Sequence, residues 1–153
     1  MTNDAFENNL RKFALKNPRG STLLAFVDAG TLCIEHDAQN NPIFRDGKFY
    51  YHSPQSAHDE AQDWAKGLKL DGVEYITVFG IGMGYGYYAL KAWLEGDFSR
   101  RLIFLEDDLR VLLLFLESPR ALELLDNPQV HIYYIEDSQD GLEVLQNLAW
   151  SAY

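Results

Sequence analysis

Three observations predict an α/β fold built on a parallel sheet. From Tyr75 onward, short β-prone runs alternate with stretches of helical periodicity. The strand segments Tyr75 to Phe79, Leu102 to Leu105 and Val130 to Ile135 are β-branched, aromatic and leucine runs without polar alternation, as in strands covered on both faces. Between the first strand and its helix stands Phe79-Gly80-Ile81-Gly82-Met83-Gly84-Tyr85-Gly86, the position where a glycine loop turns a strand into a helix. Together these predict a Rossmann-like three-layer parallel sheet, half of a doubly wound fold, with an N-terminal helix and a small antiparallel β region.

The remaining elements follow in order. Phe6, Leu10, Phe13 and Ala14 recur at helical spacing from Thr2 to Lys16, and Asn17-Pro18-Arg19-Gly20 breaks the pattern. Leu32 to His52 holds two turn signals, Asn40-Asn41-Pro42 and Asp46-Gly47, between β-prone runs, which predicts a meander. A helix begins near Ser53-Pro54, with Ser53 or Ser56 as cap, Pro54 in its first turn, and Ala57, Ala61, Trp64, Ala65 and Leu68 as its buried stripe. Helices are expected over Tyr85 to Leu94 and Asp108 to Leu116, and a last one from Ser138 burying Leu142, Leu145, Leu148 and Ala149. Right-handed crossovers predict strand order 3-2-1, with the N-terminal β region added at the edge.

A chain of 153 residues is the size of one domain, here 1–52 (helix and meander) plus 53–153 (the Rossmann-like unit). Three parallel strands make half of a doubly wound sheet, which reads as the N-terminal part of a longer protein. A formal net charge of -10 repels phosphate backbones and anionic headgroups, so neither nucleic acid nor membrane is expected as a partner. The polar, acidic N-terminus and the lack of a long apolar run predict a cytoplasmic protein. Cys33 is the one cysteine, which leaves no internal disulfide, and no Cys/His cluster has metal spacing.

The glycine loop carries the functional signal. Glycines there allow positive φ and close approach of a ligand, and the helix after them offers unpaired N–H groups to an anion. The dinucleotide fingerprint G-x-G-x-x-G fails in both registers, where Tyr85 or Tyr87 takes the place of the third glycine. No Gly-Lys-Ser/Thr follows, which excludes a P-loop, and the first basic residue after the loop is Lys91. The loop is similar to that of class I methyltransferases, in which an acid closing the second strand binds ribose. Glu106 holds that place, followed by Asp107 and Asp108, and Glu136-Asp137 follows the third strand where such folds meet adenine. Val78 stands where that family carries an acid before the first glycine. The structural alternative is that the glycines only permit tight packing and the acids cap the helices after them.

Gly80, Gly82, Gly84, Tyr85, Gly86, Glu106 and Asp137 are therefore the candidate ligand-binding residues, for a nucleotide, a nucleotide sugar or S-adenosylmethionine. Tyr85 is the best placed of Tyr85, Tyr87 and Tyr88 to stack on a base. His36, His52, His58 and His131 are scattered and read as surface or capping residues, so no catalytic set can be assembled.

The order Tyr51-His52-Ser53-Pro54, Glu60-Ala61, Val78-Phe79-Gly80-Ile81-Gly82-Met83-Gly84-Tyr85, then Phe104-Leu105-Glu106 resembles the N-terminal domain of the motility accessory factor family, related to 6-hydroxymethylpterin pyrophosphokinase-like proteins. The resemblance spans Leu32 to Leu116. It implies a bacterial glycosyltransferase that modifies flagellin with nonulosonic acids from activated nucleotide sugars, its catalytic centre in a downstream domain. This chain would then be accessory and not itself catalytic. A small S-adenosylmethionine-dependent methyltransferase-like domain and a non-enzymatic interaction module are the alternatives.

Overall fold

The computed structural model describes residues 3–151, with side chains for 4–148. Its elements run α1 (Asn3–Ala14), α2 (Pro18–Leu24), β1 (Leu32–His36), β2 (Pro42–Asp46), β3 (Phe49–Tyr50), α3 (Ala57–Lys66), β4 (Tyr75–Phe79), α4 (Tyr85–Glu95), β5 (Arg101–Glu106), α5 (Leu109–Glu117), α6 (Ala121–Asp126), β6 (Val130–Tyr134) and α7 (Ser138–Ser151). Strands β4, β5 and β6 form a parallel sheet in that spatial order, with Phe79 opposite Leu105 and Leu105 opposite Tyr133.

The meander exists, but it is a separate antiparallel sheet, β1-β2-β3, and not an extension of the parallel one. Side chains rather than a backbone ladder hold it against the carboxyl ends of β4 and β5. The Tyr85 hydroxyl donates to the Pro42 carbonyl at 2.6 Å, and Arg110 pairs with Asp46 at 3.0 Å. Asp37 ties the hairpin to α3: its buried carboxylate accepts from the N–H groups of Gln39, Asn41 and Ala57 at 2.8 to 2.9 Å. Burial pushes that carboxyl up, and the three backbone donors outweigh it and hold it below the usual range.

Period two along β5 divides the core. Leu102 and Phe104 face the larger cluster with Leu90 and Leu94 of α4 and Leu112 and Phe115 of α5. Ile103 and Leu105 face α7 through Val144, Leu145 and Leu148. Helix α7 covers only the β5–β6 side. Strand β4 therefore departs from the doubly covered pattern: Ile76 and Val78 are half-buried, while Tyr75, Thr77 and Phe79 are exposed on the other face. Leu142 is likewise exposed rather than buried, and the side chain of Ala149 lies outside the described residues.

Two short helices escape the periodicity. Helix α2 starts with Pro18 at its first turn, where the missing N–H costs nothing, and Gly20 lets it lie close against Tyr134. Helix α6 spans six residues, too few to show a helical period. Helix α3 starts at Ala57 with Ser56 as its cap, accepting from the Asp59 N–H at 3.1 Å, so Pro54 precedes the helix instead of entering its first turn.

The outer edge of β6 is closed by one side chain. Buried Asn17 donates to the Ile132 carbonyl at 2.8 Å and accepts from the Tyr134 N–H at 2.8 Å, substituting for a neighbouring strand. An Asn17→Ala substitution removes both bonds while leaving the site covered. Urea unfolding should show a loss of about 2 kcal/mol, the usual cost of stranding buried backbone polar groups; a change under roughly 0.5 kcal/mol would show that water replaces the side chain there.

Candidate functional site

Strand β4 ends in the glycine loop, and the loop is held by hydrogen bonds from both sides. The Gly80 N–H donates to the Leu105 carbonyl at 2.8 Å, continuing the sheet by one residue. The next N–H, that of Ile81, donates to Glu106 Oε1 at 3.0 Å. Glu106 Oε2 accepts from the N–H groups of Asp107 and Asp108 at 3.1 and 3.2 Å. Only 6% exposed, this carboxylate thus bonds the loop after β4 to the turn after β5. Burial pushes its pKa up, and the N–H groups of Asp108 and Ile81 pull against that shift.

Gly82 sits at φ +52, and a Cβ there would meet His52 Cε1 at 2.4 Å. Close approach to the imidazole, more than ligand access, requires glycine at this position. Gly80, at φ +87, has open space where a Cβ would stand; Gly84 caps α4 in the left-handed region, and Gly86 lies beside Phe104 and Trp64.

Above the loop lies a crevice of about 620 Å³, bounded by Phe49, Tyr51, Trp64, Phe79, Glu60 and Glu106, with His52 and Tyr85 at its base. Gly80, Gly82, Gly86, Tyr85 and Glu106 all border it, so five of the seven candidate residues come together. Gly84 is buried beneath, against Leu124 and Phe115. Asp137 is exposed and caps α7, accepting from the Asp140 N–H at 2.9 Å, and it does not line the crevice. Asp108 likewise caps α5 through the Arg110 N–H, as the structural alternative for the strand-end acids expects. Tyr87 and Tyr88 are turned away, both bonded to Glu123 of α6.

His52 is not the surface or capping residue expected. It packs edge-on against Tyr85, with ring centroids 5.3 Å apart, and its buried Nε2 has no hydrogen-bond partner among the described residues. Burial, with the Arg120 charge as a lesser cause, pushes its pKa from 6.5 down to about 4. Arg120 lies over the faces of Tyr85 and Tyr88, 4.5 and 5.0 Å from their centroids. Neither contact has a local signature: the partners lie 30 or more residues apart in sequence, and only the fold joins them.

A second crevice, about 470 Å³ between α2, β6 and α7, is bordered by Lys16 and Arg19. Its cations are already engaged, Arg19 with Glu136 at 2.7 Å and Lys16 with His131 at 2.8 Å. Among the described residues no group of three or more His, Cys, Asp or Glu could hold a metal ion, and no helix is long and apolar enough to cross a membrane.

Two outcomes check this geometry. Gly47 shares a positive φ of +60 but has nothing within 4 Å of a Cβ, so Gly47→Ala should cost about 1 kcal/mol of backbone strain. Gly82→Ala adds the collision with His52 and should cost roughly 1–3 kcal/mol more by denaturant unfolding; equal costs would mean that the imidazole moves aside freely. The unfolded chain takes up a proton on His52 near pH 6.5, which the native state refuses until about 4. Its contribution is whole above pH 6.5 and fades as pH falls through that window. The stability difference between the parent and His52→Phe should therefore fall by about 3 kcal/mol from pH 7 to pH 4, and a flat difference would mean the ring titrates normally. What the crevice accepts must be judged from its own chemistry, because the chain matches no family model, no curated protein and no solved structure.

Proposed function

We propose that this chain is an accessory Rossmann-like domain that binds a nucleoside-type ligand in the crevice above the glycine loop, and that it serves a motility-accessory-factor-type glycosyltransferase modifying flagellin without supplying the catalytic centre. The observation carrying the binding reading is the convergence on one crevice of the loop, the buried Glu106 carboxylate and an aromatic wall at the carboxyl edge of a parallel sheet. Open α/β sheets take their ligands at that edge. Trp64 and Phe79, 39% and 71% exposed, offer flat apolar surface to a base, and exposed aromatic rings in a concave site are the usual means of holding one.

The accessory role rests on the sequence resemblance. A second reading, a methyltransferase-like domain for S-adenosylmethionine, is favoured by Glu106 at the place of the ribose-binding acid. Val78 counts against it, since a half-buried valine offers no contact to the amino-acid end of that cofactor.

Thermal shift with nucleosides, CMP, GDP, UDP, S-adenosylmethionine and S-adenosylhomocysteine tests the site. A ligand at one hundred times its Kd should stabilise the chain by about 2.7 kcal/mol and raise Tm by roughly 5–10 °C. Trp64→Ala should abolish that shift while leaving the ligand-free Tm within a few degrees. No shift with any ligand would remove the binding reading. With a CMP-activated nonulosonic acid and flagellin, CMP release should stay at the uncatalysed rate; turnover would place the catalytic centre within this chain.

A further inference from the structure

The charge of the crevice wall narrows the ligand. Among the described residues that line it there is no Lys or Arg, whereas Glu60 and Glu106 both do. Arg110, Arg120 and Lys91, on or next to the helices around the glycine loop, are committed elsewhere. Arg110 is held between Asp108 at 2.9 Å and Asp46 at 3.0 Å, which raises its pKa further. Arg120 lies over two tyrosine faces with Nη1 on the Met83 carbonyl, and Lys91 bonds Glu123 at 2.8 Å. His52, which could have supplied a positive charge, is held neutral at physiological pH by its burial.

Resting on the reading of this crevice as a nucleoside site, we infer that it selects a ligand without phosphate: a hydroxyl-bearing aromatic heterocycle that is uncharged or cationic, the chemistry of a nucleoside or of its sulfonium derivative, and not of a nucleotide or nucleotide sugar. An ionised carboxylate offers about four acceptor positions, and in Glu106 three are taken by the N–H groups of Ile81, Asp107 and Asp108. The free position lies on Oε1, where a sugar hydroxyl can donate and a phosphate oxygen cannot. Glu60 Oε1 accepts from the Ser53 N–H at 3.0 Å, which fixes a second carboxylate at the rim. A phosphoryl group entering there meets two carboxylates in a partly desolvated crevice with no Lys or Arg among its described lining residues, within a chain of net charge -10. A sulfonium meets the same field with the opposite sign.

Calorimetric titration of the whole chain with four nucleosides, their 5′-mono- and diphosphates, S-adenosylhomocysteine and S-adenosylmethionine decides the matter. The best nucleoside should bind at least roughly tenfold more tightly than its own monophosphate, and the diphosphate more weakly again. The gap should narrow at 0.5 M salt, since part of the repulsion is screened. Glu60→Gln keeps the acceptor for Ser53 and removes the charge; it should shrink the nucleoside-to-nucleotide gap severalfold. A monophosphate or diphosphate binding as tightly as the nucleoside overturns this inference and leaves the crevice a nucleotide site. Binding by none of the probes overturns both readings together.

Discussion

The crevice depends on one buried carboxylate. Glu106 ends β5, yet its side chain serves the loop after β4: one oxygen takes the Ile81 N–H, and the other takes the first two N–H groups beyond the strand. Without that acceptor the Ile81 N–H would be buried and unpaired, at the cost of roughly 1–3 kcal/mol that such a group carries. The loop would also lose the bond that fixes its path from Gly80 to Gly84. Such an acid is structural before it is functional. Its three internal bonds decide how much acceptor capacity is left for a ligand.

The small sheet is the second condition on the site. Because it is docked by side chains and not by a continuing ladder, it can stand across the ends of β4 and β5 and form the wall opposite the glycine loop. The Tyr85 hydroxyl on Pro42, Arg110 on Asp46 and His52 against Gly82 are three of its fastenings. Each joins a residue at the carboxyl edge of the parallel sheet to the segment from Pro42 to His52. Two of the three involve residues, Gly82 and Tyr85, singled out in the sequence as ligand contacts. Much of the density of glycine and tyrosine there is therefore explained by packing between the two sheets, and only what borders open space remains for a ligand.

Elements with a long period or strong punctuation were legible in the sequence. Strands β4, β5 and β6, helices α4 and α5, and the meander turns at Asn40-Asn41-Pro42 and Asp46-Gly47 fall within a residue or two of the expectation. The misses share a cause. Helices α2 and α6 are shorter than two helical turns and are stabilised by what they touch, as Gly20 against Tyr134 shows. His52 and Arg120 draw their roles from partners distant in the chain, so neither spacing nor composition reveals them. Asp137 stands apart from the crevice because an acid after a parallel strand can also serve as a helix cap, and here it caps α7.

The two edges of the parallel sheet are treated differently. At β6 the side chain of Asn17 occupies two of the outward backbone groups, the Ile132 carbonyl and the Tyr134 N–H, and α7 covers the adjoining face. At β4 the bonds from Arg101 N–H to the Glu74 carbonyl and from Gly80 N–H to the Leu105 carbonyl place the even-numbered residues toward β5. Alternation along the strand then points the backbone groups of Tyr75, Thr77 and Phe79 outward, beside exposed side chains of the same residues. Among the described residues, one edge is blocked by a buried asparagine and the outward groups of the other have no hydrogen-bond partner. That side is also where Phe79 enters the crevice wall, so anything that pairs with β4 would change the shape and exposure of the crevice as well as the sheet.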